Sequence, residues 1–333
     1  MTRRKIPKRD KVRMLASVIG VLVVLIGVSF AIRYMELQRV NPQQEVVRET
    51  TEPVESTLQY QGETYEPKAD LKTYLFMGID IQGPVRVHAG EGGQADFQLL
   101  LVVDSAAKTW QMLPINRDTL TDVTVLGVLG DAISVQRQQI ALAHAYGDGM
   151  RKSCRNAVNA VSHLLGECQI DGYYALNMDG ISVLADALGG IPVTIPEDYT
   201  VLDPSFTKGA QLTLTGEQAY KLVRTRRSVD DQTNVSRMAR QNLVMEGAIA
   251  RLNSLTDDDC IAGFNAVADY VMTNLGSAEI LRLKEVAEQY QQQPTLQIEG
   301  TSSVLDGVMA FEPDAGSLQD VILQLFYTKK EMR

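Results

Sequence analysis

The chain has 333 residues, of which 45% are hydrophobic and 22% charged. That is enough apolar material to bury a real core, and the length suits one large domain plus an anchor. The net charge is −9; residues 1–13 carry +6, which leaves −15 for the rest, an acidic body that argues against nucleic acid as a partner. Three cysteines, Cys154, Cys168 and Cys260, make neither a disulfide framework nor a metal-spaced set.

Seven cations (Arg3, Arg4, Lys5, Lys8, Arg9, Lys11 and Arg13) precede an uncharged apolar run over 14–32. Nineteen such residues suffice to cross a bilayer core of roughly 30 Å. Ser29-Phe30-Ala31 has the small-x-small spacing of a signal-peptidase site, but the run exceeds the roughly 7–15 apolar residues of a signal core, so the reading is an uncleaved anchor. Positive charge before the run places residues 1–13 in the cytoplasm and the rest outside, a single-pass cell-membrane protein. Residues 33–68, with Pro42, Pro53 and Pro67 among many Glu and Gln, read as an extracytoplasmic stalk.

From residue 69 a folded domain is expected to run to the C-terminus. Runs at 73–79, 97–103 and 110–115 read as buried strands, the first two separated by a glycine-rich stretch holding Gly90, Gly92 and Gly93. Ala157, Val161, Leu164 and Leu165 have helical spacing, with Ser153 as the expected cap and Gly166 as the stop. A strand at 173–176, a helix at 181–188 and a strand at 191–195 follow. Thr215 and Gln218 have capping-box spacing ahead of a helix at 217–222. A long helix is expected over 235–252, then a strand at 307–311 and a helix at 317–327. Strands alternating with helices predict an α/β fold: an open, mostly parallel or mixed sheet covered by helices on both faces.

Two clusters carry chemistry. Arg224 and Arg226 lie two apart, so an extended chain points both the same way. Arg237, Arg240 and Gln241 share one face in the first turns of the long helix, where free N–H groups favour an anion. Guanidinium groups bind phosphate bidentately; the plain alternative is a solvated basic face paired with Asp230 and Asp231. Asp80 and Asp96 bracket the glycine-rich stretch at two strand ends, where they serve either as turn formers or as ligands of a Mg²⁺ that also holds substrate phosphates. Asn116-Arg117-Asp118-Thr119 puts another arginine at a strand end.

The stretches YLFMGID (74–80), ADFQLLLVVD (95–104), INRDT (115–119), LAHAYGDG (142–149), DALGGIPV (186–193), LTGEQAYKLVRTR (214–226) and RMARQ (237–241), in this order and behind this anchor, resemble the LytR–CpsA–Psr family of cell-envelope proteins. The resemblance implies a phosphotransferase that moves a glycopolymer from an undecaprenyl-pyrophosphate carrier to peptidoglycan in a Gram-positive-type envelope. It assigns the pyrophosphate to Arg117, Arg224, Arg226, Arg237 and Gln241, and Mg²⁺ to Asp80 and Asp96. Asp96, Arg117 and Asp118 form the expected catalytic group, with Asp96 and Asp118 both open as general base on chemistry alone. An apolar tunnel should take the lipid. The sequence departs from the family pattern at Gln82 and Gln94, where many members have arginine, at Phe97, which stands where a hydroxyl residue is usual, and at Asn234, where Asp is common. The departures keep two rivals open: a non-catalytic binder of polyprenyl phosphates or wall polymers, and a regulatory envelope protein. Thirteen cytoplasmic residues are too few for a DNA-reading fold.

Overall fold

A four-residue link at 105–108 is too short for a crossover, so the strands on either side of it must pair antiparallel. This is the start of a computed structural model that describes residues 57–87, 92–127, 130–225, 234–305 and 307–330. The tail 1–13, the apolar run 14–32, the stalk up to residue 56, and Arg226, Arg227, Asp230 and Asp231 lie outside the described residues.

In chain order the strands are β1 (Leu58–Tyr60), β2 (Glu63–Pro67), β3 (Leu71–Ile79), β4 (Ala95–Asp104), β5 (Thr109–Ile115), β6 (Leu120–Leu126), β7 (Ala132–Gln139), β8 (Gly172–Asn177), β9 (Ile191–Thr194), β10 (Gln211–Leu214), β11 (Val271–Thr273), β12 (Gln291–Gln292), β13 (Gly300–Leu305), β14 (Val308–Pro313) and β15 (Tyr327–Lys329). The helices are α1 (Leu142–Ala145), α2 (Arg151–Leu164), α3 (Met178–Ala187), α4 (Gly216–Arg224), α5 (Asn234–Leu252), α6 (Asp257–Ala266), α7 (Ser277–Gln289) and α8 (Ala315–Phe326).

The central sheet has six strands in the order β11-β8-β3-β4-β5-β12. Only two of its five pairings, β3 with β8 and β5 with β12, are parallel, so the sheet is mixed rather than mostly parallel. Short links make β3-β4-β5 a meander; β8 joins parallel to β3 only after the long excursion through β6, β7, α1 and α2.

Alternation along the strands sorts two cores. Leu75, Met77, Leu100, Val102 and Leu113 pack on one face against Ala157 and Val161 of α2 and Val321 and Leu325 of α8. Tyr74, Leu99, Leu101, Trp110 and Met112 face the other way, toward Val286 of α7 and Met245 and Ile249 of α5. Each fully buried Leu here contributes about 1.5–3 kcal/mol. A third cluster joins β9 and β10 to α4 and α5 through Ile191, Phe206, Leu222 and Val244. The Thr215–Gln218 capping box forms as spaced, with Gln218 N–H donating to Thr215 Oγ1 at 3.3 Å and Thr215 N–H to Gln218 Oε1 at 3.1 Å.

One local expectation changes. Ser153 does not cap α2: the helix begins at Arg151, and Ser153 Oγ, buried in the first turn, accepts from Gly149 N–H at 2.8 Å. The tail of the stalk-like segment, which around Tyr60–Tyr65 is expected to pack on the domain, forms a hairpin at 58–67 whose second strand pairs with β15.

Candidate functional site

Strict alternation along β4 would put Asp96 on the same face as Gln98, Leu100 and Val102, away from Phe97, Leu99 and Leu101. The ladder does otherwise. Gly78 pairs with Phe97 but Ile79 pairs with Ala95, leaving Asp96 as the extra residue of a β-bulge. Ala95 thereby drops into the α2-side core, and Asp96 joins Phe97, Leu99 and Leu101 in lining a cavity on the α5–α7 side. Bulges commonly re-aim a side chain in this way.

Two arginines hold Asp96. Arg117 Nη1 donates to Asp96 Oδ1, and Arg237 Nη1 donates to Asp96 Oδ2 at 3.1 Å. Arg117 is fixed further by Gln94 Oε1 on Nη2 and by Asp118 Oδ1, 3.3 Å from Nε. Gln94 thus acts as an acceptor for Arg117. Asp118 does not line the cavity; its Oδ1 also accepts from Gln139 Nε2 at 2.7 Å, so it backs Arg117. Asn234 bridges the start of α5 to the loop after β5: its Nδ2 donates to Asn116 Oδ1 at 2.7 Å and its Oδ1 accepts from Arg237 Nη2 at 2.9 Å.

Arg224 is the last residue of α4, so it is helical and not on the extended chain that spacing with Arg226 suggested. Its guanidinium is exposed and hydrogen-bonds the Tyr220 hydroxyl at 2.5 Å, one turn back. Arg237 and Gln241 line the cavity, as spacing on α5 suggested, but Arg240 does not share their face. It is 2% exposed and turns to the end of α4, donating to Leu222 O at 3.0 Å and to Thr225 O.

The cavity has a volume of about 800 Å³. Asp80, Asp96, Arg224, Arg237 and Gln241 are its charged and amide-bearing lining; the remainder is almost wholly apolar, from β3, β4, β5, β8 and helices α3, α5, α6 and α7. The titratable groups away from that end stay neutral, because burial raises both the Tyr174 phenol and the Cys260 thiol. Tyr174 sits between Phe76 and Phe264, with ring centroids 6.1 and 6.3 Å away. The geometry is that of an apolar sleeve with one ionic end.

The stretch LAHAYGDG, whose His144-Ala145-Tyr146 reads from sequence as a structural polar turn, and Ala141 just before it hold the ionic end in place. Ala141, just before α1, accepts from Ala95 N–H at 3.1 Å and donates to Arg117 O at 3.2 Å, tying the Asp96 bulge to the Arg117 loop. His144 is buried, with Nδ1 3.0 Å from Gly93 O, and burial holds its imidazole below the ordinary histidine value. Gly92 N–H donates to Ala145 O at 3.1 Å. A Cβ on Gly92 would lie 2.5 Å from His144 O, and Gly93 has φ of +72°, which explains the glycines here.

The donor set fits Mg²⁺. Asp80, exposed just past β3, makes no side-chain hydrogen bond or ion pair among the described residues, and Asp96 follows on the neighbouring strand. Asp80 and Asp96 bring two carboxylates to the lining of one cavity end. One or two carboxylates plus substrate phosphates is the usual protein share of a Mg²⁺ shell. No group of three or more His, Cys, Asp or Glu residues arranged to hold a metal exists among the described residues.

The sequence pattern of the LytR_cpsA_psr family matches residues 34–326. The chain is 28% identical, over 258 residues, to the polyisoprenyl-teichoic acid–peptidoglycan teichoic acid transferase TagU of Bacillus licheniformis, covering 75% of this chain and 76% of that one. It is 29% identical to the Biofilm regulatory protein A of Streptococcus mutans over 256 residues, 72% of this chain and 59% of that one. The crystal structure of B. subtilis TagV aligns with a TM-score of 0.59 at 25% identity, covering 78% of this chain and 96% of that one.

Proposed function

The chain belongs to the LytR_cpsA_psr family, and from that premise we propose that it transfers a glycopolymer from a polyprenyl-pyrophosphate carrier to a hydroxyl of peptidoglycan. The observation that carries this reading is the cavity: a sleeve of about 800 Å³ whose depth is uncharged and whose ionic end gathers Arg224, Arg237, Asp96 and Asp80. A lipid with a pyrophosphate head matches both halves. The acceptor oxygen forms a bond to the glycan-linked phosphorus, the P–O–P bond breaks, and polyprenyl phosphate leaves.

Arg224 and Arg237, with Arg117 behind Asp96, stabilise charge on the phosphate oxygens, and Gln241 borders them; such transfer depends mainly on positioning and fixed charge. Arg226 belongs to the same set by sequence. Asp96 lines the cavity, whereas Asp118 is turned to Gln139, so Asp96 is the better placed of the two to meet an acceptor hydroxyl. Asp80 and Asp96 would hold Mg²⁺, which supplies charge neutralisation on pyrophosphate oxygens. The described residues that line the ionic end carry both signs, Arg224 and Arg237 beside Asp80 and Asp96, and a Mg²⁺ would add the counter-charge that a pyrophosphate needs. Residues 14–32 anchor the chain in the cell membrane, with the domain outside. The glutamines at 82 and 94 favour one second reading, a binder that holds the same lipid without transfer.

The test is binding of a short-chain polyprenyl pyrophosphate to the full-length protein in detergent with Mg²⁺ at fixed salt. Arg224→Ala should weaken binding about ten- to a hundredfold, the value of a charge-assisted contact. Ala287→Phe, which adds bulk to the sleeve wall on α7, should weaken long-chain carriers more than short ones. Equal affinities across the set would remove the cavity from the reading; tight binding with no transfer to peptidoglycan would favour the binder.

A further inference from the structure

We infer that Arg240 is a positioning residue that sets where Arg224 stands relative to Arg237, a role that rests on the pyrophosphate reading of the site. Arg240 is charged yet 2% exposed. Burying a cation is costly unless its donors are met, and among the described residues two of them meet carbonyls of one segment. Nε donates to Leu222 O at 3.0 Å and Nη2 to Thr225 O, while the guanidinium lies 5.7 Å from the Tyr199 ring centroid. Those two carbonyls flank Arg224 at the end of α4. The last carbonyls of a helix lack the full intrahelical set of partners, and the helix dipole favours a cation there. The planar fork fixes two points, so it constrains direction as well as distance.

The same helix grips the other side of the site. Three residues earlier on α5, Arg237 is locked to Asp96 of β4. α5 therefore acts as a ruler between the Asp96 bulge and the end of α4. Arg224 depends on it, because its own side-chain contacts are local: the Tyr220 hydroxyl at 2.5 Å and the Tyr220 ring at 5.3 Å, both within α4. Nothing in those contacts tells the guanidinium where the sleeve is; the placement of the α4 end does. A residue needed only to fill space at position 240 would be apolar.

The experiment is a double-mutant cycle on the full-length protein in detergent, reading affinity for a short-chain polyprenyl pyrophosphate with Mg²⁺ present. Arg240→Met should lower affinity on the order of tenfold in the wild-type background, and should change it little in the Arg224→Ala background, since there is no arginine left to misplace. Arg240→Lys, which keeps a cation but not the fork, should fall between. It runs the same cycle where the methionine variant loses its cooperative melting transition. A residue that merely supports the fold would give the same fold-loss in both backgrounds. That result, or unchanged affinity in Arg240→Met beside a weakened Arg224→Ala, overturns the proposal alone. A silent Arg224→Ala overturns the pyrophosphate reading and this inference together.

Discussion

Arg224 and Arg237 line one cavity end but sit in opposite physical settings. Arg237 is 4% exposed and bound to Asp96 and Asn234; Arg224 is exposed at a helix end and touches only Tyr220 among the described residues. Removing one partner of a buried ion pair leaves an uncompensated charge and costs about 3–5 kcal/mol, whereas an exposed side chain typically contributes within about 0.5 kcal/mol. Arg237→Ala should therefore shift the denaturant midpoint strongly and Arg224→Ala hardly at all. Trp110, the single tryptophan and 5% exposed, reports unfolding directly. Equal midpoints for the two variants would show that the Asp96–Arg237 pair does not bear on the fold.

Short elements hold the ionic end together on the side opposite α5. The bulge at Asp96, the turn at Arg117 and the single-turn α1 share backbone hydrogen bonds through Ala141, and His144 closes the set on Gly93 O. The groups that face His144 are the Gly92 and Gly93 backbone, the buried Cys154 thiol 3.8 Å from Nε2, and Asp148. Burial outweighs them and lowers its pKa. The unfolded chain takes up a proton at the ordinary histidine value and the folded chain does not, so stability falls as pH drops below that value and levels off below the folded one. Denaturation between about pH 7.5 and about pH 5 should show this loss, and His144→Gln, which keeps a donor for Gly93 O, should flatten it. An unchanged pH slope in that variant would place the acid sensitivity elsewhere.

At the scale of the molecule, the mixed sheet is a partition. One face is filled by α2 and α8; on the other, α5, α6 and α7 stand off far enough to leave a sleeve open at the strand ends. An apolar cavity of this size with Arg224, Arg237, Asp80 and Asp96 at one end would suit the proposed ligand, part lipid and part anion. Such a ligand would reside in a membrane, where the apolar run 14–32 is expected to hold the chain. Among the described residues no helix is long and apolar enough to cross a membrane, and the run at 14–32 lies outside them. A cysteine at Ser56, in a Cys168→Ser background to remove the partly exposed native thiol, should react with a membrane-impermeant reagent on intact cells. Labelling only after permeabilisation would reverse the topology.

Much of this was legible before folding. Apolar runs bounded by turn residues marked β3, β4, β5 and β8, because a buried strand needs unbroken hydrophobicity. Thr215 and Gln218 marked the start of α4, because a cap is a local hydrogen bond between neighbours. The spacing on α5 named Arg237 and Gln241, because 3.6 residues per turn is a property of the chain alone. The weakly patterned pieces were not legible: the β6–β7 hairpin, α6 and α7 carry polar or mixed sequences whose burial depends on what packs above them. Arg240 was read with Arg237 because helix spacing cannot tell a residue turned to a cavity from one turned to another helix. The face of Asp96 was decided by one extra residue in a ladder that exists only when β3 and β4 pair. The sleeve itself has no signature in the chain, since a cavity is the space that elements far apart in sequence fail to fill.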